Sequence, residues 1–251
     1  MPKYGCNLSK VQYIRFIIEI NLCRFSYMDY SEPCQYSTRL IEKLKFLDTE
    51  NVLDFDLINK AIYWAKKYHD GQFRKSGEPF YTHPLEVAYM LSEYKLKTDV
   101  IVTAILHDIV EDTEVTAGMI LDEFGRRIEE MVDRLTRDRP DGSKLSIEEI
   151  LNNAYEKNDK EVLLVKLIDR LHNLSTIKSF KQTKQIKIKT QTLEDFLPML
   201  LETEDYKAFQ IITSLCIKDK NHPVFHELLG IRLTPLNQQI YNIKNLQCYD
   251  C

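Results

Sequence analysis

The stretch Val100–Thr113, VIVTAILHDIVEDT, sets one imidazole and three carboxylates at the end of an apolar run. The run Val100–Val110 has the length and the composition of a buried α-helix. His107 and Asp108 lie late in this run, and burying such polar groups is costly unless something satisfies them. A divalent metal ion would satisfy both groups. A helix cap or a simple hydrogen bond is the alternative explanation for a His-Asp pair.

Glu111 and Asp112 extend this pattern. Glu111 follows His107 by four residues and Asp112 follows Asp108 by four, so in a helical region each carboxylate lies one turn further along. Four ionisable residues within six positions concentrate charge that a fold normally keeps away from its core. A metal centre with an adjacent acid/base pair explains this concentration, and Glu111 and Asp112 are the candidate catalytic residues. For these two residues alone, a solvated helix end is the competing interpretation.

A second His-Asp pair provides an internal comparison. His69 and Asp70 stand directly before Gly71 at the expected end of another helix, and no acidic residues follow one turn later. Glycine is well suited to the position after a helix end. We therefore assign this pair a surface or capping role rather than a role in metal binding.

Asp169 lies on a helix that is otherwise strongly apolar. Asp169, Asn173 and Thr176 recur at the spacing of a single polar face on this helix. A buried aspartate needs a partner, and a metal ion is one possibility. Arg170 or His172 would be the structural alternative, although both are expected to point to other faces.

His83 is the remaining ligand candidate, and it stands at the end of the loop 72–83. Pro84 directly follows it and is suited to the first position of a helix, which we expect over Pro84–Tyr94. Neutral imidazoles and carboxylates together suit a divalent ion such as Mn, Fe, Zn or Mg.

The rest of the chain is typical of an all-α protein. Seven glycines and eight prolines in 251 residues are too few for a β protein built from many tight turns. The lysine-rich run Lys178–Lys189 indicates a solvated face. Apolar periodicity predicts helices around 40–47 and 57–65, and over Pro84–Tyr94, Val100–Val110, Glu123–Leu135, Ile147–Tyr155, Lys160–Ile177, Leu193–Leu201 and Lys207–Cys216.

Composition argues against several functional classes. A net charge of −4 and a pI near 5.9 give no electrostatic case for binding nucleic acid. The apolar stretch Val11–Leu22 is interrupted by Arg15 and Glu19 and is too short to span a bilayer, so no membrane partner is expected. Six scattered cysteines favour a reducing compartment, and we expect a cytoplasmic protein. Cys248 and Cys251 form a CxxC without further ligands nearby, which argues against zinc.

Three motifs together carry a resemblance to a known family. They are RKSGEPFYTHP (74–84), ILHDIVEDT (105–113) and KLIDRLHN (166–173), and VDRLT (132–136) lies between the second and the third. In order and approximate spacing they resemble the hydrolase domain of the RelA/SpoT family, which belongs to the HD-type metal-dependent phosphohydrolases. The resemblance extends roughly from Ser37 to Thr176.

The resemblance implies an all-helical HD domain that holds one Mn²⁺ ion and removes pyrophosphate from the 3′ position of the guanine nucleotides ppGpp and pppGpp. It further implies these metal ligands: His83, His107, Asp108 and Asp169. Glu111 and Asp112 would position and activate the attacking water or protonate the leaving group. An arginine plane, a lysine charge and hydrogen-bonding side chains suit a nucleotide, and the residues implied for the guanine nucleoside are Arg74, Lys75, Ser76, Asn173 and Thr176.

The domain organisation expected from the sequence has three parts. An irregular N-terminal extension covers residues 1–38, the HD hydrolase domain covers 39–180, and a helical C-terminal extension covers 181–251. Within the last part, TLEDFLPM (192–199) resembles the connector that leads to a synthetase domain in long members of the family. We therefore expect a truncated relative of the long form that lacks the synthetase domain.

Two other functions stay open at this stage. One is an HD phosphohydrolase that acts on another nucleotide, against which the loop 74–76 and the face formed by Asn173 and Thr176 weigh. The other is a non-catalytic fragment that binds the alarmone or a partner protein, against which the complete set of ligand candidates weighs. The sequence predicts nothing about the oligomeric state.

Overall fold

The computed structural model describes residues 29–139, 141–202, 212 and 216. Within these residues the regular structure is helical apart from two isolated bridges, which confirms the expected all-α fold. A 3₁₀ turn, Ile177–Ser179, precedes the last helix. The α-helices are α1 (Gln35–Leu47), α2 (Phe55–Tyr68), α3 (Thr82–Leu91), α4 (Thr98–Leu106), α5 (Ile109–Asp112), α6 (Ala117–Phe124), α7 (Arg126–Leu135), α8 (Ile147–Glu156), α9 (Lys160–Ser175) and α10 (Gln182–Glu202).

Helix α4 is the centre of the core. Every residue from Val100 to Leu106 is buried, and α4 packs against α2, α3, α7 and α9. Burying one Val, Leu or Ile side chain contributes about 1.5–3 kcal/mol. The apolar run therefore organises the helices around it, and its end is held deep inside the protein.

The helix expected over Val100–Val110 is interrupted at its polar pair. α4 ends at Leu106, His107 is its C-cap, and the short helix α5 begins at Ile109. Asp108 has φ −99° and ψ −5°, in the sparsely populated bridge region, while the Asp112 N–H still donates to the Asp108 carbonyl at 3.0 Å. The prediction of one continuous helix is wrong here because apolar residues on both sides of the break preserve the periodicity.

Helix α3 begins earlier than the sequence predicts. It starts at Thr82 rather than at Pro84, so His83 lies in its first turn, and it ends at Leu91 instead of Tyr94. Pro84 is tolerated as the third residue because the first four amides of a helix have no acceptor within the helix. The loop before α3 thus delivers His83 to the beginning of a buried helix.

A glycine divides the amphipathic helix expected over Glu123–Leu135. α6 ends at Phe124 and α7 begins at Arg126, with Gly125 between them at φ +83° and ψ 167°. A residue with a Cβ is strained in that backbone conformation. Apolar spacing continues across the turn, which is why the pattern alone indicated a single helix.

Helix α10 joins the core of the preceding helices. It packs against α8 and α9, and its residues Leu193 and Phe196 are fully buried. It includes the helix expected over Leu193–Leu201 and crosses the expected domain boundary at residue 180. That boundary stays a prediction.

The lysine run is a solvated face, as expected. The first four of its lysines are exposed and the last is half-buried: Lys178, Lys181, Lys184, Lys187 and Lys189. None of the helices in residues 29–139 and 141–202 has the length and apolar character needed to cross a membrane.

Several expectations concern residues that lie outside the described ones. They are most of the N-terminal extension 1–38, the helix expected over Lys207–Cys216 apart from residues 212 and 216, and the CxxC at Cys248 and Cys251.

The turn at Gly125 yields a stability prediction. Gly125→Ala should lower the free energy of unfolding by about 1–3 kcal/mol, since a Cβ at φ +83° is strained although no atom blocks it. The matched control is Gly118→Ala in the first turn of α6, which should leave stability unchanged or raise it slightly. Thermal or urea unfolding measures both, and equal stabilities would contradict the prediction.

Candidate metal centre and adjoining pocket

Three residues from separate helices bring possible ligand atoms to one buried point. His83 comes from the first turn of α3, His107 caps α4, and Asp169 lies within α9. One nitrogen or oxygen atom from each lies within 4.8 Å of the others, and the three residues are 2%, 2% and 7% exposed. Sequence separation between them is large, so only the packing of α3, α4 and α9 creates this group.

Asp108 completes the set expected from the sequence. Its Oδ1 lies 3.2 Å from His107 Nε2, and its Oδ2 lies 3.4 Å from His83 Nε2. Asp169 Oδ1 is 3.1 Å from His83 Nε2 and 3.7 Å from His107 Nε2. Two imidazoles and two carboxylates therefore face one another across a gap that a single ion would fill.

The hydrogen bonding of His107 tests whether a metal fits. A backbone carbonyl can only accept, so the 2.7 Å contact between His107 Nδ1 and the Ala104 oxygen places the hydrogen on Nδ1. In the neutral ring Nε2 then carries a lone pair, and among the described residues this buried atom has no hydrogen-bond partner. An imidazole nitrogen directed at two carboxylates belongs to a donor set that a divalent metal ion fits.

The two aspartate carboxylates of the cluster favour a positive charge beside them. Burial alone would raise the pKa of Asp108 and Asp169, but the imidazoles, and Lys166 beside Asp169, hold both well below the usual range. Burial likewise would lower the pKa of His107, yet the two carboxylates outweigh it and raise it to about 10. The carboxylates are thus ionised, and they favour the protonated form of His107. A divalent cation would take the place of that proton.

Further side chains orient the cluster from behind. Asn173 Nδ2 donates to Asp169 Oδ1 at 2.6 Å, and Lys166 Nζ lies 3.5 Å from Asp169 Oδ2. His172 Nδ1 lies 2.7 Å from His83 Nδ1, and burial with nearby positive groups lowers the pKa of His172 to about 3. The sequence interpretation considered His172 only as an alternative partner of Asp169 and expected it to point elsewhere; it contacts His83 instead.

A cavity of about 320 Å³ opens beside the cluster. This volume lies in the range of about 300–1,000 Å³ typical of small-molecule pockets. A larger cavity of about 410 Å³ between α1 and α2 contains none of the predicted site residues. The smaller cavity is lined by Phe73, Arg74, Lys75, Ser76, Phe80, His83, Asp108, Asp169, Asn173, Ser179 and Phe180.

Arg74 links the loop before α3 to the end of α9. Its Nη2 donates to Asn173 Oδ1 at 3.0 Å and to Thr176 Oγ1 at 3.5 Å. Ser76 Oγ donates to Glu78 Oε2 at 2.6 Å, within the same loop. Four of the five residues expected to hold a nucleoside thus line the cavity, and the fifth, Thr176, contacts Arg74.

Glu111 and Asp112 lie near the metal cluster but do not line the cavity. Glu111 Oε1 accepts the backbone N–H of Arg137 at 2.5 Å, which ties α5 to the segment after α7. Asp112 is an exposed residue, yet partial burial of its carboxyl group and the charges of Asp108 and Glu111 raise its pKa to about 6. A carboxyl group with that pKa can hold or release a proton near neutral pH.

Of the two roles expected for His69, the capping role is confirmed and the surface role is wrong. It caps α2 as expected, but it is only 1% exposed and its ring lies 4.8 Å from that of Phe80. Its Nδ1 donates to Gln72 Oε1 at 2.9 Å, and Gln72 Nε2 donates to the Asp112 carbonyl at 2.7 Å. The loop after α2 folds back over this histidine, an event that local sequence does not reveal.

Aromatic residues at the cavity were missed by sequence reasoning. Phe73 and Phe180 line it, and Phe73 is 67% exposed. Lys184 Nζ lies 4.5 Å from the centre of the Phe180 ring. The position of Phe73 directly before the basic pair Arg74-Lys75 was the available signal; nothing in the pattern marked Phe180.

Two histidines and two aspartates that meet within a helical core are the arrangement typical of helical proteins with a His–Asp metal centre. The family model described as "HD domain" matches residues 61–199, and the chain belongs to this family.

Curated relatives confirm the resemblance to RelA/SpoT proteins. The chain is 40% identical over 154 residues to "GTP pyrophosphokinase" of Myxococcus xanthus, covering 58% of this chain and 20% of that protein. It is 34% identical over 142 residues to "Guanosine-3′,5′-bis(diphosphate) 3′-pyrophosphohydrolase" of Haemophilus influenzae, covering 54% and 21%. It is 34% identical over 149 residues to "Bifunctional (p)ppGpp synthase/hydrolase SpoT" of Escherichia coli, covering 57% and 21%. The chain thus spans about a fifth of the length of these relatives.

A solved structure is also similar to the chain. It is described as "A metazoan ortholog of SpoT hydrolyzes ppGpp and plays a role in starvation responses", with 23% identity and a TM-score of 0.42. The match covers 63% of this chain and 82% of that one.

The cluster predicts a metal-dependent gain in stability. Adding Mn²⁺ at a hundred times its Kd should stabilise the protein by about 2.7 kcal/mol and raise Tm by several degrees. Asp169→Ala should abolish this increase, whereas Asp122→Ala, at an exposed carboxylate on α6, should preserve it. Differential scanning calorimetry with and without the ion measures each increase. An undiminished increase in Asp169→Ala would contradict the assignment.

Proposed function

We propose that the protein hydrolyses ppGpp and pppGpp, releasing pyrophosphate from the 3′ position and leaving GDP or GTP. The observation that carries this proposal is the buried His–Asp cluster beside a cavity lined by Arg74 and Asn173, with Thr176 in contact with Arg74. The chain is also similar to a relative named as a guanosine-3′,5′-bis(diphosphate) 3′-pyrophosphohydrolase and to one named as a (p)ppGpp synthase/hydrolase. Since the chain spans about a fifth of the length of those relatives, the support for this proposal comes mainly from its own site.

The metal expected in this centre is one Mn²⁺ ion. Mixed imidazole and carboxylate ligands suit it, and the residues that would hold it are His83, His107, Asp108 and Asp169. When bound, a divalent ion supplies Lewis acidity, which lowers the pKa of water and offsets the charge of a pyrophosphate group.

The reaction requires two proton movements. Attack of water on the phosphorus attached to the 3′ oxygen removes one proton from the water, and the departing 3′ oxygen takes one up. Glu111 is held in place by the Arg137 amide and is suited to orient the water and accept its proton. Asp112, with a pKa of about 6, is suited to supply the other proton near neutral pH.

The nucleoside would lie along the wall that joins the loop before α3 to α9. The Arg74 guanidinium offers a plane for a purine base, while Lys75 offers a point charge for phosphate. Ser76, Asn173 and Thr176 supply hydroxyl and amide groups for base or sugar edges. Arg74 is anchored by Asn173 before any substrate arrives, which reduces the entropy lost on binding.

Two alternatives define the outcomes of the first experiment. The purified protein is incubated with ppGpp and Mn²⁺, and products are resolved by chromatography, with EDTA and Asp108→Ala as controls. Release of GDP and pyrophosphate that depends on metal and on Asp108 supports the proposal. No release from a protein that binds metal indicates another nucleotide substrate, whereas no release and no metal indicate a non-catalytic fragment. We place this activity in the cytoplasm, a compartment in keeping with the free thiols of Cys34 and Cys216.

Substitution of Glu111 should lower kcat without lowering the affinity for metal, unlike substitution of a metal ligand. Glu111→Gln should keep Mn²⁺ affinity and the bond from the Arg137 amide but lower kcat by about 10²–10⁴-fold, since the base is lost. The control Glu114→Gln changes an exposed carboxylate three residues away and should leave kcat unchanged. Steady-state kinetics and metal titration are both needed, because loss of metal in Glu111→Gln would refute the division of roles.

Arg74 should act on substrate binding. Arg74→Ala removes a charged donor from the cavity wall and should raise KM about 10–100-fold, equivalent to roughly 1.4–2.8 kcal/mol. Arg126→Ala removes a surface guanidinium that contacts only Glu130 at 4.0 Å among the described residues and should leave KM unchanged. The ppGpp concentration dependence of the rate measures both, and an unaltered KM in Arg74→Ala would place the nucleoside elsewhere.

A further inference from the structure

His172 contacts a candidate metal ligand from the side opposite the metal centre. His172 Nδ1 and His83 Nδ1 lie 2.7 Å apart, and their ring centres lie 4.8 Å apart. At this distance one nitrogen carries the hydrogen and the other accepts it. The direction of this hydrogen bond decides whether Nε2 of His83 carries a hydrogen or a free lone pair.

The orientation of His83 determines the direction of this hydrogen bond. Its Nε2 lies 3.1 Å from Asp169 Oδ1 and 3.4 Å from Asp108 Oδ2, so Nε2 is the atom that faces the centre. A nitrogen that binds a metal ion must carry a free lone pair. The hydrogen of neutral His83 then lies on Nδ1, which donates to Nδ1 of His172.

The second ligand histidine shows the same arrangement with a simpler acceptor. His107 Nδ1 donates to the Ala104 carbonyl, a group that can only accept, so its tautomer is set by the backbone. His83 lies in the first turn of α3 and has a histidine in the equivalent place. A histidine nitrogen can donate or accept. For His83 Nδ1 to donate as His107 Nδ1 does, Nδ1 of His172 must carry a lone pair.

We propose that His172 is a positioning residue that accepts the Nδ1 hydrogen of His83 and so directs the Nε2 lone pair of His83 into the metal centre. His172 lies three residues after Asp169 on α9, so one helix supplies both a ligand and the group that orients a ligand from α3. This inference rests on the proposed metal centre and concerns its affinity for metal. Partners of this kind typically contribute 10–100-fold in metal affinity or activity.

Two substitutions separate the acceptor from the bulk of the ring. His172→Asn keeps an oxygen acceptor near the position of Nδ1, whereas His172→Leu keeps bulk and removes the acceptor. Titration of the metal-free full chain with Mn²⁺ by calorimetry should show 10–100-fold weaker binding for the Leu variant. The Asn variant should remain within a few-fold of the unsubstituted protein.

Two results would overturn the proposal: unchanged Mn²⁺ affinity in the Leu variant, or equal losses in both variants. Thermal unfolding without metal establishes that each variant folds. If the Leu variant does not fold, His172→Gln replaces it. The amide group of glutamine lies further from the backbone than the Nδ1 position, so its oxygen does not take the place of Nδ1.

Nitrogen-15 spectra of the histidine rings give a readout independent of activity. In the Zn²⁺-loaded protein, which is diamagnetic, His83 should carry its hydrogen on Nδ1, and a hydrogen on His172 Nδ1 instead would overturn the proposal. If the unsubstituted protein binds Mn²⁺ but does not hydrolyse ppGpp, the proposed function is refuted. The metal titrations of the His172 variants would still test the role of His172.

Discussion

Two aspartate carboxylates held beside two imidazoles inside a helical core are the constraint on which the rest of the structure depends. Asp169 is almost fully buried, and Asp108 is largely covered. Ionised carboxylates in such a place are costly unless positive charge is close. The imidazole of His107, whose pKa the two carboxylates raise, supplies such charge in the metal-free protein, and a divalent ion would supply it when bound. The protein is therefore built for a cation before any substrate is considered.

Hydrogen bonds from neighbouring groups hold three members of this cluster in place. His107 is oriented by a backbone carbonyl, Asp169 is held by Asn173, and His83 is contacted by His172. The cluster joins α3, α4 and α9, and α4 and α9 are largely buried. Ligands placed on packed helices lose little freedom when an ion binds, and that freedom would otherwise reduce affinity.

Glu111, Asp112 and the cavity residue Arg74 are connected to the surrounding structure by a few hydrogen bonds. The Arg137 amide holds Glu111, and Gln72 joins the carbonyl of Asp112 to the buried His69. On the other side, Arg74 links the loop before α3 to the end of α9. The short helix α5 is thus held from two directions although it has only one turn of its own, so the geometry of the acidic pair depends on loops that pack against the core.

The sequence by itself determined the all-α class and indicated four ligand candidates, because helical periodicity and polar residues near apolar runs are local signals. It also indicated Glu111 and Asp112, through their spacing after His107 and Asp108 together with the family resemblance of the motif at 105–113. It did not reveal the break at His107 and Asp108, the burial of His69, or the pairing of His172 with His83. Periodicity reports which face of a helix is buried, whereas the partner on the facing helix is decided by packing between segments far apart in the chain. Tertiary structure alone brings Asp169 to His83 and places Phe180 at the cavity.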